Sequence, residues 1–305
     1  MYNPLDKSLF VGLLLLTLLF SCSESPKPAA AITVTDTDLA ATQKPNSSVR
    51  FIRFDQAKFT TALTEGENQT WDFSSYKANG VTPSTTNYLA PQANTIFKSA
   101  THALRYTSKV LNLDLVLTDH YEISATGLYD VGSQIEQKSI PLGGGIVLSS
   151  VGNESAWTPK RLIYKFPMVY KDSYSNESNM KESFRLTAPP FNLNNAPTDR
   201  VGKVKKQIQI VGWGKLILPN DANVATNDVL LVKTTASFTY NYLLGGATAP
   251  TALTGALGLT EGETTTRVFY EFLSKSGGVI AIVNFEADAT GKPKFPSYEA
   301  AYKTK

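Results

Sequence analysis

Val204-Lys205-Lys206-Gln207-Ile208-Gln209-Ile210, continuing through Val211-Gly212-Trp213-Gly214 to Lys215-Leu216-Ile217-Leu218-Pro219, carries the strongest fold signal in the chain. Ile208 and Ile210 are two residues apart, which puts them on one face of a strand. Gly212 and Gly214 flank Trp213, and glycines inside a strand pattern mark a bend or bulge. Pro219 stops the run. Residues 220–228 turn the chain, and Val229-Leu230-Leu231-Val232-Lys233 returns toward Ala236-Ser237-Phe238-Thr239-Tyr240-Asn241-Tyr242. The pattern is a long hairpin.

Toward the C-terminus a second hairpin pairs Thr266-Arg267-Val268-Phe269-Tyr270-Glu271-Phe272 with residues 278–285, across the turn Ser274-Lys275-Ser276-Gly277. Val279, Ala281, Val283 and Phe285 alternate onto one face. Between the hairpins, the Gly/Ala/Thr-rich residues 245–262 read as a mobile insertion, because their glycines oppose a stable helix near 253–259. Toward the N-terminus, strand patterns cover 180–186, 161–167, 135–140, 127–132 and 121–123. Leu111, Leu113, Leu115 and Leu117 form one apolar face, with Asn112 and Asp114 facing outward. Residues 103–106 make another short strand. Residues 78–94, with Pro83 and Pro91, read as a polar connection. Trp71 and Phe73 share the buried face of a strand, and the folded region opens at Val49-Arg50-Phe51-Ile52-Arg53-Phe54.

With 15 Phe and 14 Tyr, and few windows of helical period, the composition favours sheet. The expected fold is mainly β, an antiparallel β-sandwich-like architecture, with an incomplete barrel or curved sheet as second choice. The 305 residues carry a net charge of +3. Lys203, Lys205, Lys206 and Lys215 are the nearest thing to a basic patch. Their strand-like setting reads as a solvated sheet face, so no nucleic-acid partner is expected.

Residues 9–20 are apolar and uncharged, and twelve residues are too few to span a bilayer as a helix. They fit the apolar part of a signal peptide. The following Leu19-Phe20-Ser21-Cys22 resembles the lipobox of bacterial lipoprotein precursors. The resemblance implies cleavage before Cys22 and acylation of that cysteine, the sole one in the chain. Several acyl chains hold a protein firmly at a bilayer. The expected organisation is a signal peptide over 1–21, a flexible tether over 22–48, a β-rich domain or two subdomains over 49–285, and a polar tail over 286–305. The expected location is the cell envelope, at the outer membrane, with its periplasmic or surface side open.

Several short segments are similar to those of secreted proteins of Bacteroidetes-type bacteria. Trp71-Asp72-Phe73-Ser74 follows Gly66 and Asn68. Phe166-Pro167-Met168-Val169-Tyr170-Lys171-Asp172-Ser173 comes next, then residues 212–219 and 229–233, and finally Tyr270-Glu271-Phe272. The resemblance implies a β-rich envelope or secreted protein and carries no catalytic residues with it.

Chemistry-bearing patterns are sparse. His102 and His120 lack metal-ligand spacing and read as surface or rim residues. Ser155, Ser173 and Ser183 lack a recognisable base or nucleophile elbow. Residues 141–145, with three glycines, lack the lysine of a phosphate loop and read as a turn. Asp36, Asp38, Asn220, Asp221 and Asp228 suit turn chemistry better than a calcium loop. A glycosidase needs only a carboxylate pair, for which Glu65, Glu67, Asp72, Glu263 and Glu271 are candidates. No metal or cofactor is expected. The leading expectation is a lipid-anchored envelope protein with a binding or structural role. Its partners are the membrane and an envelope protein, glycan or apolar ligand. The alternatives are a carrier of a lipid or apolar ligand in a curved sheet, and a glycan-directed hydrolase.

Overall fold

The computed structural model describes residues 32–92, 95–110, 113–288 and 290–305. The expected signal peptide, the expected lipidation site at Cys22 and the first part of the expected tether lie outside the described residues. A short helix, α1 (Asp36–Thr42), comes first. The strands of the first half are β1 (Ser47–Arg53), β2 (Gly66–Asp72), β3 (Ser84–Leu89), β4 (His102–Val110), β5 (Leu113–Ser124), β6 (Gly127–Ile135), β7 (Lys138–Gly143) and β8 (Ile146–Ser150). Then follow β9 (Glu154–Lys165), β10 (Ser173–Ala188), β11 (Leu193–Ile217), β12 (Thr226–Leu244) and β13 (Ala247–Thr248). After α2 (Thr251–Ala256) come β14 (Thr264–Ser274), β15 (Gly278–Glu286) and β16 (Glu299–Thr304).

Twelve of these strands close a ring. Their order is β11, β12, β14, β15, β16, β1, β3, β4, β5, β6, β9 and β10, and β10 pairs again with β11. The ring pairings are antiparallel. The expected mainly β, antiparallel fold therefore forms. Rather than two facing sheets, one sheet closes into a barrel, a step beyond the incomplete barrel held as second choice. Closure leaves the ring no unpaired edge, which is the physical gain over an open sheet.

Both expected hairpins are present. The β11–β12 ladder runs from Thr198 opposite Leu244 to Ile217 opposite Thr226, with its register shift between Ile210 and Gly212. From Gly212 onward β2 lies parallel beside β11 in place of β10. A Cβ on Gly214 would sit 2.0 Å from the Gln69 carbonyl oxygen, so β2 docks there only against glycine.

Paired residues across an antiparallel ladder share a face. Lys206 lies opposite Ala236, Thr234 opposite Phe269 and Val232 opposite Glu271. This face points into the ring, where Lys206, Thr234, Phe269 and Glu271 share a cavity with Tyr88, His102 and Tyr121 of the far wall. The other face of β12, β14 and β15 carries Val229, Leu231, Phe272 and Phe285, covered by Phe54, Phe59, Trp71 and Phe73. Both faces of this wall are thus buried, which is why Val229, Leu230, Leu231 and Val232 all have no exposure.

One end of the lumen is filled by Val34, Leu39, Met168, Ile208, Ile210 and Trp213. Here the tether expectation is corrected from residue 32 onward. Val34 exchanges backbone hydrogen bonds with Met168, at 3.2 and 2.8 Å. Thr35 and Asp38 form a capping box that starts α1, and Leu39 on that helix is fully buried. Two apolar side chains, correctly spaced in a polar segment, suffice to dock it.

The expected polar tail is also corrected. Residues 299–304 form β16 between β15 and β1, and Tyr302 is fully buried with its hydroxyl donating to Asp221 at 2.8 Å. The polar connection over 78–94 contains β3, which joins β1 to β4. The insertion over 245–262 contains α2, with Leu253 buried. The β-rich region lies within one compact unit.

The uncovered outer wall is polar. Ser175, Glu177 and Asn179 of β10 lie opposite Gln207, Lys205 and Lys203. Glu177 pairs with Lys203 at 2.6 Å and Lys205 at 3.4 Å. A lipid-embedded barrel carries an apolar band in such positions. Among the described residues no helix is long and apolar enough to cross a membrane.

Candidate functional site in the barrel lumen

Beyond the apolar end, the lumen opens into a cavity of about 430 Å³. Its walls combine apolar and aromatic groups, among them Leu104, Leu128, Phe238 and Phe269, with three charged side chains: Arg161 from β9, Lys206 from β11 and Glu271 from β14. Tyr164 donates a hydrogen bond to the Glu271 carboxylate. Burial raises the Glu271 pKa, against the opposing pull of that hydrogen bond and of Lys206. Burial lowers the Lys206 pKa, helped by Arg161 and opposed by Glu271 and Asp130. Lys206 makes no hydrogen bond or ion pair among the described residues. His102 lies against Tyr121, with ring centroids 5.4 Å apart and planes 13° from parallel, and burial lowers its pKa to about 4.

A charged band follows along the strands. Arg161 forms an ion pair with Asp130 and lies 4.6 Å from the centre of the Trp157 ring. Its Nε is buried without a hydrogen-bond partner. Tyr106 donates to Asp119 at 3.0 Å, and burial together with the Asp130 charge pushes Asp119 up to about 7. Arg200 pairs with Glu182 and sits 5.1 Å from the Tyr240 ring centre.

Past this band lies a second cavity of about 440 Å³, beneath α2. Lys206 and Arg200 are six residues apart on β11, which is about 20 Å at the rise of a strand. Leu115, Leu117, Ile135, Leu148, Phe184 and Leu253 dominate the second cavity, with Glu182, Arg200 and Tyr242 at its polar edge. Of the expected leucine face, Leu115 and Leu117 line this hollow. Its volume falls in the range of small-molecule sites.

The sequence candidates are dispersed. Glu65 pairs with Lys233 at 2.8 Å and Glu67 with Lys171 at 3.1 Å. Asp72 accepts from the Ser74 backbone at 3.0 Å, and Glu263 is exposed. Glu271 alone of the five reaches the cavity, beside a lysine rather than a second carboxylate. The acids that do converge are Asp119 and Asp130, and neither lines either cavity. No arrangement for glycoside hydrolysis is assembled from the five candidates. Among the described residues no cluster of His, Cys, Asp and Glu is placed to hold a metal ion. Asp38 serves the α1 cap, and Asp221 pairs with Lys77 at 2.7 Å.

The two histidines correct their expectation as surface residues. His102 is 2% exposed in the lumen wall, and His120 has no exposure beneath Phe97, stacked at 4.3 Å. Each lies under an aromatic ring that the local sequence gives no reason to expect. Lys206 corrects the solvated-face reading too: Lys203 and Lys205 are on the outer wall, and Lys206 faces in. A signal was present, because Lys206, Ile208 and Ile210 share one parity. Asp119, Asp130, Arg161 and Arg200 had no such marker, since polar residues of a lumen and of a wet surface alternate alike.

The fold and lumen define a closed antiparallel barrel with two internal cavities. No family model, curated protein or solved structure matches the chain.

Proposed function

We propose that this protein is a lipid-anchored envelope protein that holds an apolar ligand in the cavity beneath α2. The observation that carries this reading is the leucine-rich hollow itself. A buried methylene contributes about 0.8 kcal/mol, and a wall of leucines left unfilled forgoes that gain. Association costs several kcal/mol, so a chain long enough to cover most of the wall is the ligand that suits the space. Anchoring rests on the lipobox-like segment ending at Cys22, and envelope placement rests on that segment together with the Bacteroidetes-type motifs. The role is capture or carriage, without a reaction.

The test is titration with N-phenyl-1-naphthylamine, whose emission rises in apolar surroundings, followed by displacement with decanol. Saturable binding that decanol reverses is expected, and Leu117→Trp, which fills the cavity, should abolish it. Undiminished binding in a folded Leu117→Trp protein would overturn this placement of the ligand. Intact mass of the chain from its native membrane, beside Cys22→Ala, tests the anchor separately. An unmodified full-length product would refute it.

A further inference from the structure

The charged cavity is chemically unlike the one beneath α2, and its polar groups are incompletely matched. Lys206 projects from β11 into the cavity, where Glu271 acts on it electrostatically but no hydrogen bond or ion pair holds it among the described residues. Arg161 carries a buried Nε–H without an acceptor, while its Nη2 donates to the Asp130 carboxylate. On the neighbouring strand, Asn176 lies opposite Lys206 and Ser178 opposite Val204. The Asn176 Oδ1 and the Ser178 Oγ are likewise buried without partners. Unsatisfied buried polar groups are uncommon, because each forgoes a hydrogen bond that water would have supplied. Asn176 and Ser178 do not line the cavity, and it is Lys206, unmatched in a largely apolar wall, that marks a place prepared for an anionic group.

We propose that this cavity is a second binding site, which takes an apolar monocarboxylate with its carboxylate on Lys206 and its hydrocarbon part against Leu104, Leu128 and Phe269. Charge argues for a monoanion. Arg161 is already matched by Asp130, so among the described residues Lys206 is the cation of this cavity without a hydrogen bond or ion pair. A phosphate monoester would bring close to two negative charges into a space whose wall also carries Glu271. The tyrosines and phenylalanines of the wall suit a hydrocarbon body and offer no comparable set of partners for a sugar. Burial makes a charge-assisted hydrogen bond stronger here than in water.

The experiment is calorimetric titration of the full chain with octanoate and, as the neutral control of equal length, octanol. Octanoate should bind, and Lys206→Met should weaken it by about tenfold or more while leaving octanol unaffected. Lys206→Arg should restore part of the octanoate affinity. Leu117→Trp, which blocks the cavity beneath α2, should leave octanoate binding intact, so this site stands or falls apart from the proposed apolar one. Equal affinity for octanoate and octanol, absence of octanoate binding, or loss of octanoate binding only in Leu117→Trp would each overturn the proposal. Near-ultraviolet circular dichroism of each variant verifies the fold. Lys206→Met removes an unpaired buried charge, which is a stabilising direction.

Discussion

The outer layer of the β12–β14–β15 wall and the lumen on its inner side make an instructive pair, because the same strands serve both. Outside, Phe272 packs edge-on against Trp71 at 5.3 Å and Phe73 at 5.6 Å, and Phe54 and Phe59 complete a dense aromatic layer. Inside, one residue along, Glu271 looks into a cavity. Alternation along one strand thus divides two jobs. The outward face supplies packing, and the inward face lines a cavity. Truncations on the two faces should therefore behave differently.

The largest effect belongs to the packed side. Phe272→Ala should destabilise the protein by about 3–5 kcal/mol, as expected for a large side chain removed from a core. Leu148→Ala, in the wall of the apolar cavity, should cost less than about 1.5 kcal/mol, since much of its surroundings is already empty. Urea denaturation of both variants measures the contrast. Equal losses would mean that the lumen is packed as tightly as the wall, which would break the comparison.

The charged band sharpens it through pH. Asp119 sits at about 7, above its ordinary value of 3.8, so its ionisation opposes folding as pH rises through 7. Its neutral form is the one the folded protein prefers, and that preference is fully present below about pH 4. His102 works in the opposite direction. Its pKa is lowered from 6.5 to about 4, so its contribution is intact above 6.5 and is lost as pH falls toward 4. Between pH 6.5 and 4 the two changes offset one another. Asp119→Asn should gain roughly 2 kcal/mol at pH 8, with a smaller gain at pH 5. Urea midpoints at the two pH values test this, and an equal gain at both would exclude titration of Asp119 as the cause.

The smallest effect is at Lys206. Lys206→Met should leave the unliganded protein unchanged or more stable by about 1 kcal/mol, because a desolvated cation is replaced by an apolar chain of similar length. Thermal unfolding reads this directly. A marked loss of stability would mean that Lys206 is structurally paired, contrary to its description as a free lumen charge.

The parts of the fold visible in the sequence were those determined by neighbours in the chain. The two hairpins, the bulge at Gly212 and the leucine face containing Leu115 and Leu117 all follow from local alternation. Closure was not visible, because it joins β16 to β1 and β10 to β11, and the first of these pairs residues such as Ile52 and Tyr302 from opposite ends of the chain. Alternation also states which residues share a face without saying whether that face looks into a lumen or into water. For that reason Lys206 passed for a surface lysine, and the histidines for rim residues. In 229–232, where both faces are buried, alternation in polarity disappears altogether. The alternation of Ala300 and Tyr302 with Glu299 and Lys303 was present in the supposed tail, but six residues among polar neighbours give a weak signal. The cavity beneath α2 depends on where the insertion over 245–262 comes to rest, and glycine-rich composition is silent on that.

The most direct measurement is a methyl NMR titration of leucine-labelled protein with decanol. The Leu115, Leu117, Leu148 and Leu253 methyl signals should shift together and saturate, while Leu216 and Leu231 in the packed outer layer stay in place. Saturation without a shift at the cavity leucines, or uniform shifts across both sets, would contradict a barrel that is solid on one face of its wall and built to hold a ligand on the other.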